Sequence, residues 1–101
     1  MSGITTHVLD TSRGKPGSDI EVELWHGDEL VRRTRTDADG RARMADTAAA
    51  GTYRIVFKIG AYFEHGFYPE AAIAFEVRDA SQHYHVPLLV SPFGYSTYRG
   101  S

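Results

Sequence analysis

Thr52-Tyr53-Arg54-Ile55-Val56-Phe57-Lys58-Ile59 is the stretch whose reading decides the fold. Tyr53, Ile55, Phe57 and Ile59 fall on one parity and Thr52, Arg54 and Lys58 on the other, with Val56 the single exception. Side chains alternate between faces along a strand, so this is a strand with one face buried and one in water. A helix would instead repeat its apolar residues about every 3.6 positions. Working outward, Ile20, Val22 and Leu24 oppose Glu21, Glu23 and Trp25 in the same way, and Ile73, Phe75 and Val77 mark a third strand over Ala71 to Val77. Weaker strands are read at Ile4 to Leu9, Glu29 to Thr36, Arg41 to Met44, His83 to Val90 and Tyr95 to Arg99.

The connections carry turn chemistry: Arg13-Gly14-Lys15-Pro16-Gly17, Ala38-Asp39-Gly40, Thr47 to Gly51 and Ser91-Pro92-Phe93-Gly94. One short helix is expected within Gly60 to Gly66. About eight short strands in about 100 residues describe an all-β, immunoglobulin-like two-sheet sandwich. Pro87 interrupts an apolar strand with a residue that has no amide proton, which predicts an edge, a bulge or a local bend there.

The 101 residues are the size of one domain, and no segment reads as a linker between two cores, so residues 1–101 are taken as a single domain. A chain this short buries a smaller share of its surface than a larger protein does, which makes self-association a reasonable further source of stability. There is no cysteine, which excludes disulfides, thiolate metal sites and a cysteine nucleophile. A net charge of -2 with interspersed signs argues against nucleic acid as a partner, and Arg32, Arg33 and Arg35 read as a solvated face. No charged leader precedes an apolar run and no stretch reaches the length of a membrane span, so a soluble cytoplasmic protein is expected.

The chemistry must then come from the five histidines and their neighbours, because imidazole titrates near neutral pH unaided. His83 and His85 share a face of their strand, a spacing that suits either a metal or a catalytic cleft, with His7 the obvious third ligand in the metal case. His7 lies opposite in parity to Ile4, Thr6 and Val8. Arg41 follows the Asp39-Gly40 turn at a place where a guanidinium can reach into a cleft. The last residues, Tyr98-Arg99-Gly100-Ser101, are not the polar trailing sequence usual at chain ends, which suggests an ordered tail closed by a Ser carboxylate. His65 has no assignable role and reads as exposed.

Three separated segments together resemble one family, the transthyretin-like 5-hydroxyisourate hydrolases. They are Ile4-Thr5-Thr6-His7-Val8-Leu9-Asp10-Thr11, Thr36-Asp37-Ala38-Asp39-Gly40-Arg41, and the nineteen residues from His83-Tyr84-His85-Val86-Pro87 through Ser91-Pro92-Phe93-Gly94-Tyr95 to Tyr98-Arg99-Gly100-Ser101. Phe67-Tyr68-Pro69-Glu70 extends the likeness, so it covers essentially the whole chain. Asp37, Tyr68 and Val90 depart from the residues usual in the family, and none is a proposed catalytic position.

The resemblance implies a transthyretin-like sandwich and hydrolysis of 5-hydroxyisourate to 2-oxo-4-hydroxy-4-carboxy-5-ureidoimidazoline in urate breakdown. It implies no cofactor and no metal. By position it makes His7, Arg41 and His85 the catalytic residues and Tyr98, Arg99, Gly100 and Ser101 the substrate-binding tail, in a homotetramer built as a dimer of dimers. Transthyretins share the Ser-Pro-x-x-Tyr-Ser-Thr element but lack the Tyr-Arg-Gly-Ser ending, which places this chain on the enzyme side. Three alternatives remain: a transthyretin-type carrier of a small aromatic ligand, an immunoglobulin-like adhesion domain and a metal-dependent hydrolase. Which histidine acts as base is left open.

Overall fold

A computed structural model describes residues 3–101; Met1 and Ser2, the start of the expected domain, lie outside the described residues. The described residues hold nine strands: β1 (Gly3–Asp10), β2 (Lys15–Pro16), β3 (Glu21–His26), β4 (Glu29–Arg35), β5 (Arg41–Ala45), β6 (Gly51–Phe57), β7 (Ala71–Val77), β8 (His83–Ser91) and β9 (Gly94–Thr97). One sheet runs β4-β3-β6-β7, entirely antiparallel. The other runs β2-β1-β8-β9, with β5 also paired to β1, and its central pair β1·β8 is parallel.

The alternation predicted for Thr52 to Ile59 is present in β6, where Tyr53, Ile55 and Phe57 are buried and Thr52 and Arg54 exposed. These side chains join Val22 and Leu24 of β3, Ile4 and Val8 of β1, Met44 of β5 and Val86, Leu88 and Val90 of β8 in one core between the two sheets. Each such fully buried side chain contributes about 1.5 to 3 kcal/mol by removal from water. The exception, Val56, is buried on the outer face of its sheet, paired in register with the equally buried Glu23.

Three expectations need correction. The two-residue strand β2 lies inside what the sequence presents only as a turn; two residues are too few to display a period. The short helix is a single 3-10 turn at Ile59–Ala61, so the strand also ends at Phe57 rather than Ile59. The Tyr62 and Phe63 amides both donate to the Ile59 carbonyl at 3.1 Å. One turn suffices to bury Ile59 and Phe63, and a helix this short has little stability of its own. Pro87, finally, is not on an edge: β8 is flanked by β1 and β9. Its effect is a gap in the β8·β9 ladder between Leu88↔Thr97 and His85↔Gly100.

Candidate active site

The outer face of the β5-β1-β8 sheet gathers the polar residues that the sequence singled out. In β1, Ile4, Thr6 and Val8 point into the core, which turns Thr5 and His7 outward. Register then sets their neighbours: His7 pairs with Arg41 and Thr5 with Arg43 on one side, and Thr5 pairs with His85 on the other. Residues in register across a sheet share a face, so two arginines, three histidines and a threonine from three strands meet on one surface. Thr5, Asp37, Arg41, Arg43, His83, His85 and Ser101 contribute to an open cavity of about 380 Å3.

Arg41 is placed by the turn before it. The Asp37 carboxylate accepts from the backbone amides of Asp39 and Arg41, both at 2.9 Å, and this bonding, the Arg41 amide first, holds its pKa below the usual value. Gly40 adopts φ +78, and a Cβ there would stand 2.3 Å from the Val8 carbonyl oxygen, so the turn can press against β1 only with glycine. That close approach lets the Val8 amide donate to the Gly40 carbonyl at 2.7 Å. His7 Nε2 donates to the Asp39 carbonyl at 2.8 Å, which puts the proton on Nε2 and leaves Nδ1 as the basic nitrogen of the neutral ring. His7 therefore sits beside Arg41, against the turn, and outside the set of residues lining the cavity.

His85 is the most constrained of the histidines. Its Nδ1 lies 2.9 Å from the Thr5 hydroxyl. Its Cδ2 edge lies against Gly100: a Cβ on that glycine would be 2.5 Å from Cδ2. The tail reaches this position by keeping the β8·β9 register across a gap at Pro87. β9 pairs with β8 as far as Leu88↔Thr97, and the same register resumes at His85↔Gly100, where the Gly100 amide donates to the His85 carbonyl at 2.8 Å. Between them Pro87 has no proton to give, and its carbonyl accepts from the Thr97 hydroxyl at 2.7 Å. Burial, followed by the fields of His7, His83 and Arg41, lowers the pKa of His85, with a bond to the Thr5 backbone acting the other way. The ring is thus kept neutral and basic near pH 7.

The tail is divided between two places. Ser101 lines the cavity and Gly100 backs His85. Tyr98 and Arg99 line a second groove of about 650 Å3, shared with Ile73, Phe75, Tyr84 and one side of His85. There the Arg99 guanidinium lies 4.6 Å from the centre of the Tyr84 ring and donates to the Gln82 side chain at 3.0 Å. His83 is exposed, and its Nε2 lies 2.8 Å from the Thr5 hydroxyl. Among the described residues no three His, Asp or Glu side chains are gathered closely enough to hold a metal ion. His65 is exposed beside Glu64.

Sequence reading passed over Thr5, Arg43 and Asp37 as parts of the site. Parity would have found the first two, since Thr5 precedes His7 and Arg43 follows Arg41 by two residues. The role of Asp37 was available only as an Asp two residues ahead of an Asp-Gly turn.

The model of the HIUase/Transthyretin family matches residues 4–100. The chain is 45% identical to a 5-hydroxyisourate hydrolase of Caulobacter vibrioides over the full length of both. Among solved structures it is similar to the 5-hydroxyisourate hydrolase of Klebsiella pneumoniae, with a TM-score of 0.90 and 36% identity, covering 100% of this chain and 94% of the other. Sea bream transthyretin in complex with thyroxine superposes with a TM-score of 0.90 at 25% identity, covering 97% of this chain and 94% of that one.

Proposed function

The chain belongs to the HIUase/Transthyretin family, and from that premise we propose that it hydrolyses 5-hydroxyisourate in urate degradation, with His7, Arg41 and His85 as the catalytic residues. The observation that carries the residue assignment is the register across β5-β1-β8, which sets one arginine and two imidazoles side by side on an outer sheet face. Opening the six-membered ring requires water to lose a proton as it attacks a ring carbonyl. Charge then builds on that carbonyl oxygen, and the departing ring nitrogen needs a proton. His85, neutral and with Nδ1 engaged by Thr5, offers Nε2 to take the proton from water. Arg41 supplies a fixed positive charge for the oxygen. His7, its Nε2 held by the Asp39 carbonyl, orients the water or returns the proton to the leaving nitrogen.

Tyr98, Arg99, Gly100 and Ser101 are proposed to bound the substrate, Ser101 within the cavity and Tyr98 and Arg99 from the groove on the other side of His85. The carrier alternative has weaker support, since the full-length relatives of higher identity are named as hydrolases. The same reading includes a cytoplasmic homotetramer. Its support is that β7 and β9 end their sheets with open edges and that Tyr95 and Tyr98, on or beside β9, are exposed. Sedimentation of the purified protein tests the assembly, and a monomer at working concentration would remove it.

The decisive experiment generates 5-hydroxyisourate in situ from urate with urate oxidase and follows its ultraviolet decay with and without the protein, in the presence of a chelator. Faster decay that disappears in His85→Ala and His7→Ala supports the assignment. Decay unchanged by correctly folded protein would return the carrier reading.

A further inference from the structure

A single hydroxyl joins two imidazoles on the candidate catalytic face. Thr5 Oγ1 lies 2.8 Å from His83 Nε2 and 2.9 Å from His85 Nδ1. A hydroxyl has one proton and two lone pairs, and each neutral imidazole has one donor and one acceptor nitrogen. With the hydroxyl proton used between the two rings, the three groups share protons in two ways; in a third, both rings donate to the oxygen and the hydroxyl proton points elsewhere. In the first, His85 Nδ1–H donates to Thr5 and Thr5 donates to His83 Nε2; the lone pair of His85 is then on Nε2. In the second, His83 Nε2–H donates to Thr5 and Thr5 donates to His85 Nδ1; His85 then carries its proton on Nε2 and has no free lone pair there. Nε2 can take a proton from water in the first arrangement and in the third, and only the first also gives the hydroxyl proton an acceptor among the three groups.

We propose that Thr5 is a positioning residue that, with His83 as its acceptor, holds His85 in the tautomer whose Nε2 is free. Resting on the catalytic role given above to His85, this assigns a purpose to two residues outside the trio. The geometry of the ring makes the tautomer matter. Nδ1 faces Thr5 and the Cδ2 edge faces Gly100, so Nε2 is the one ring nitrogen left for chemistry. The direction of the Thr5 hydroxyl depends in turn on the charge of His83. A proton added to His83 makes Nε2 a donor and abolishes the bond that Thr5 gives it, so the first arrangement exists only with neutral His83. Around the three groups stand Arg41 and Arg43 from β5, the latter 3.9 Å from Asp46, and Arg99 from the tail, against Asp37 and the Ser101 carboxylate, with His7 of β1 beside Arg41. Burial first, then the neighbouring charges including Arg41, favour the neutral form of His85 at pH 7.

The test uses Thr5→Val, which keeps the branched shape and removes the hydroxyl, Thr5→Ser, which restores it, and His83→Phe, which removes the acceptor. Nitrogen-15 NMR of the imidazoles reads the tautomer directly. At pH 7.5 the whole protein is expected to show His85 with a protonated Nδ1 and a bare Nε2, and Thr5→Val and His83→Phe to show a mixture. In the ring-opening assay Thr5→Val is expected to lose about 10- to 100-fold in kcat with KM little changed, as when a histidine loses the partner that sets its tautomer. Thr5→Ser should recover most of it. A His85 protonated on Nε2 in the unaltered protein overturns the proposal. So does a Thr5→Ser variant as slow as Thr5→Val with the tautomer unmoved. The NMR result stands even where the unaltered protein leaves 5-hydroxyisourate untouched, an outcome that would count against the proposed reaction and not against the tautomer.

Discussion

On the outer face of the β4-β3-β6-β7 sheet, Glu23 accepts from Trp25 Nε1 at 3.1 Å and from Arg33 at 2.9 Å, with Lys58 3.9 Å away and bonded in turn to Glu70. Arg35 lies within ion-pair distance of Asp19 and Glu21. On the outer face of β5-β1-β8 the same strand alternation turns out His7, Thr5, His83, His85, Arg41 and Arg43, and the nearby Asp37 gives its Oδ1 to turn amides. One face cancels its charges in pairs; the other sets imidazoles beside Arg41, while Arg43 lies 3.9 Å from Asp46. Pairing on an exposed face serves solubility and modest stability. On the second face burial first and then the neighbouring charges disfavour protonation of His85, which leaves it free to accept a proton when water attacks a carbonyl.

The sharpest way to break this contrast is to remove one base. His85→Ala is expected to lower turnover by about 10² to 10⁴-fold, the usual worth of a general base, without unfolding the sandwich, since the side chain lies outside the core. Decay of 5-hydroxyisourate and circular dichroism on the same sample check both halves. Normal turnover would mean that the imidazole cluster is not where the chemistry occurs.

The next effect comes from position alone. Gly100→Ala introduces a methyl that would stand 2.5 Å from His85 Cδ2, so the ring or the tail has to shift. A misplacement of this order costs up to about 100-fold in rate. Because Gly100 lies on the tail outside the core cluster, the melting temperature should barely move. A large fall in stability with full activity would reverse the assignment of this contact from site to scaffold.

Acid separates His85 from Glu23 by pH window. The pKa of His85 is lowered first by burial and then by His7, His83 and Arg41. A base with a depressed folded pKa binds its proton more readily when unfolded. Its contribution to stability is therefore complete above the unfolded value, about 6.5, and is lost as pH falls below that toward the folded value. Glu23 is desolvated, which raises its pKa, but hydrogen bonds from Trp25 and Arg33 and the Lys58 charge outweigh this and leave it below 4.5. Its contribution is present above the unfolded value and lost as pH falls through the folded one. Melting temperature against pH should thus decline in two stages, the first absent in His85→Gln and the second unchanged in it. A single decline below pH 4 in both proteins would refute the link to His85.

How far the sequence alone leads follows from the same contrast. Alternation makes β3, β6 and β7 visible because one face is apolar and the other charged, and it makes β1 and β8 visible enough to place His7 and His85. It says nothing of which strands pair. The parallel β1·β8 contact joins residues eighty positions apart, and that pairing, not local pattern, brings Thr5 between His83 and His85. Thr5 is an ordinary strand residue until its neighbours are known. The division of the tail was illegible for a related reason: it depends on the register of β9 and the tail against β8, which no local signal reveals. The 3-10 turn at Ile59–Ala61 was placed within a few residues, but its length depends on how little chain is needed to carry Ile59 and Phe63 into the core.

The smallest expected effect tests the quiet face. Arg33→Ala removes the bond to Glu23 and leaves that buried carboxylate with Trp25 and Lys58. An exposed pair is worth about 0.2 to 1 kcal/mol, and for a domain of this size 1 kcal/mol moves the melting temperature by roughly 4 to 8 °C. Arg33 is half exposed, so the upper end of that range is the most that should be seen. Turnover should not change at all, because Arg33 lies on the sheet opposite the imidazoles and its neighbours are charges that already have partners. Loss of activity at this distance would mean that the paired face communicates with the site, and the division of labour between the two sheets would have to be abandoned.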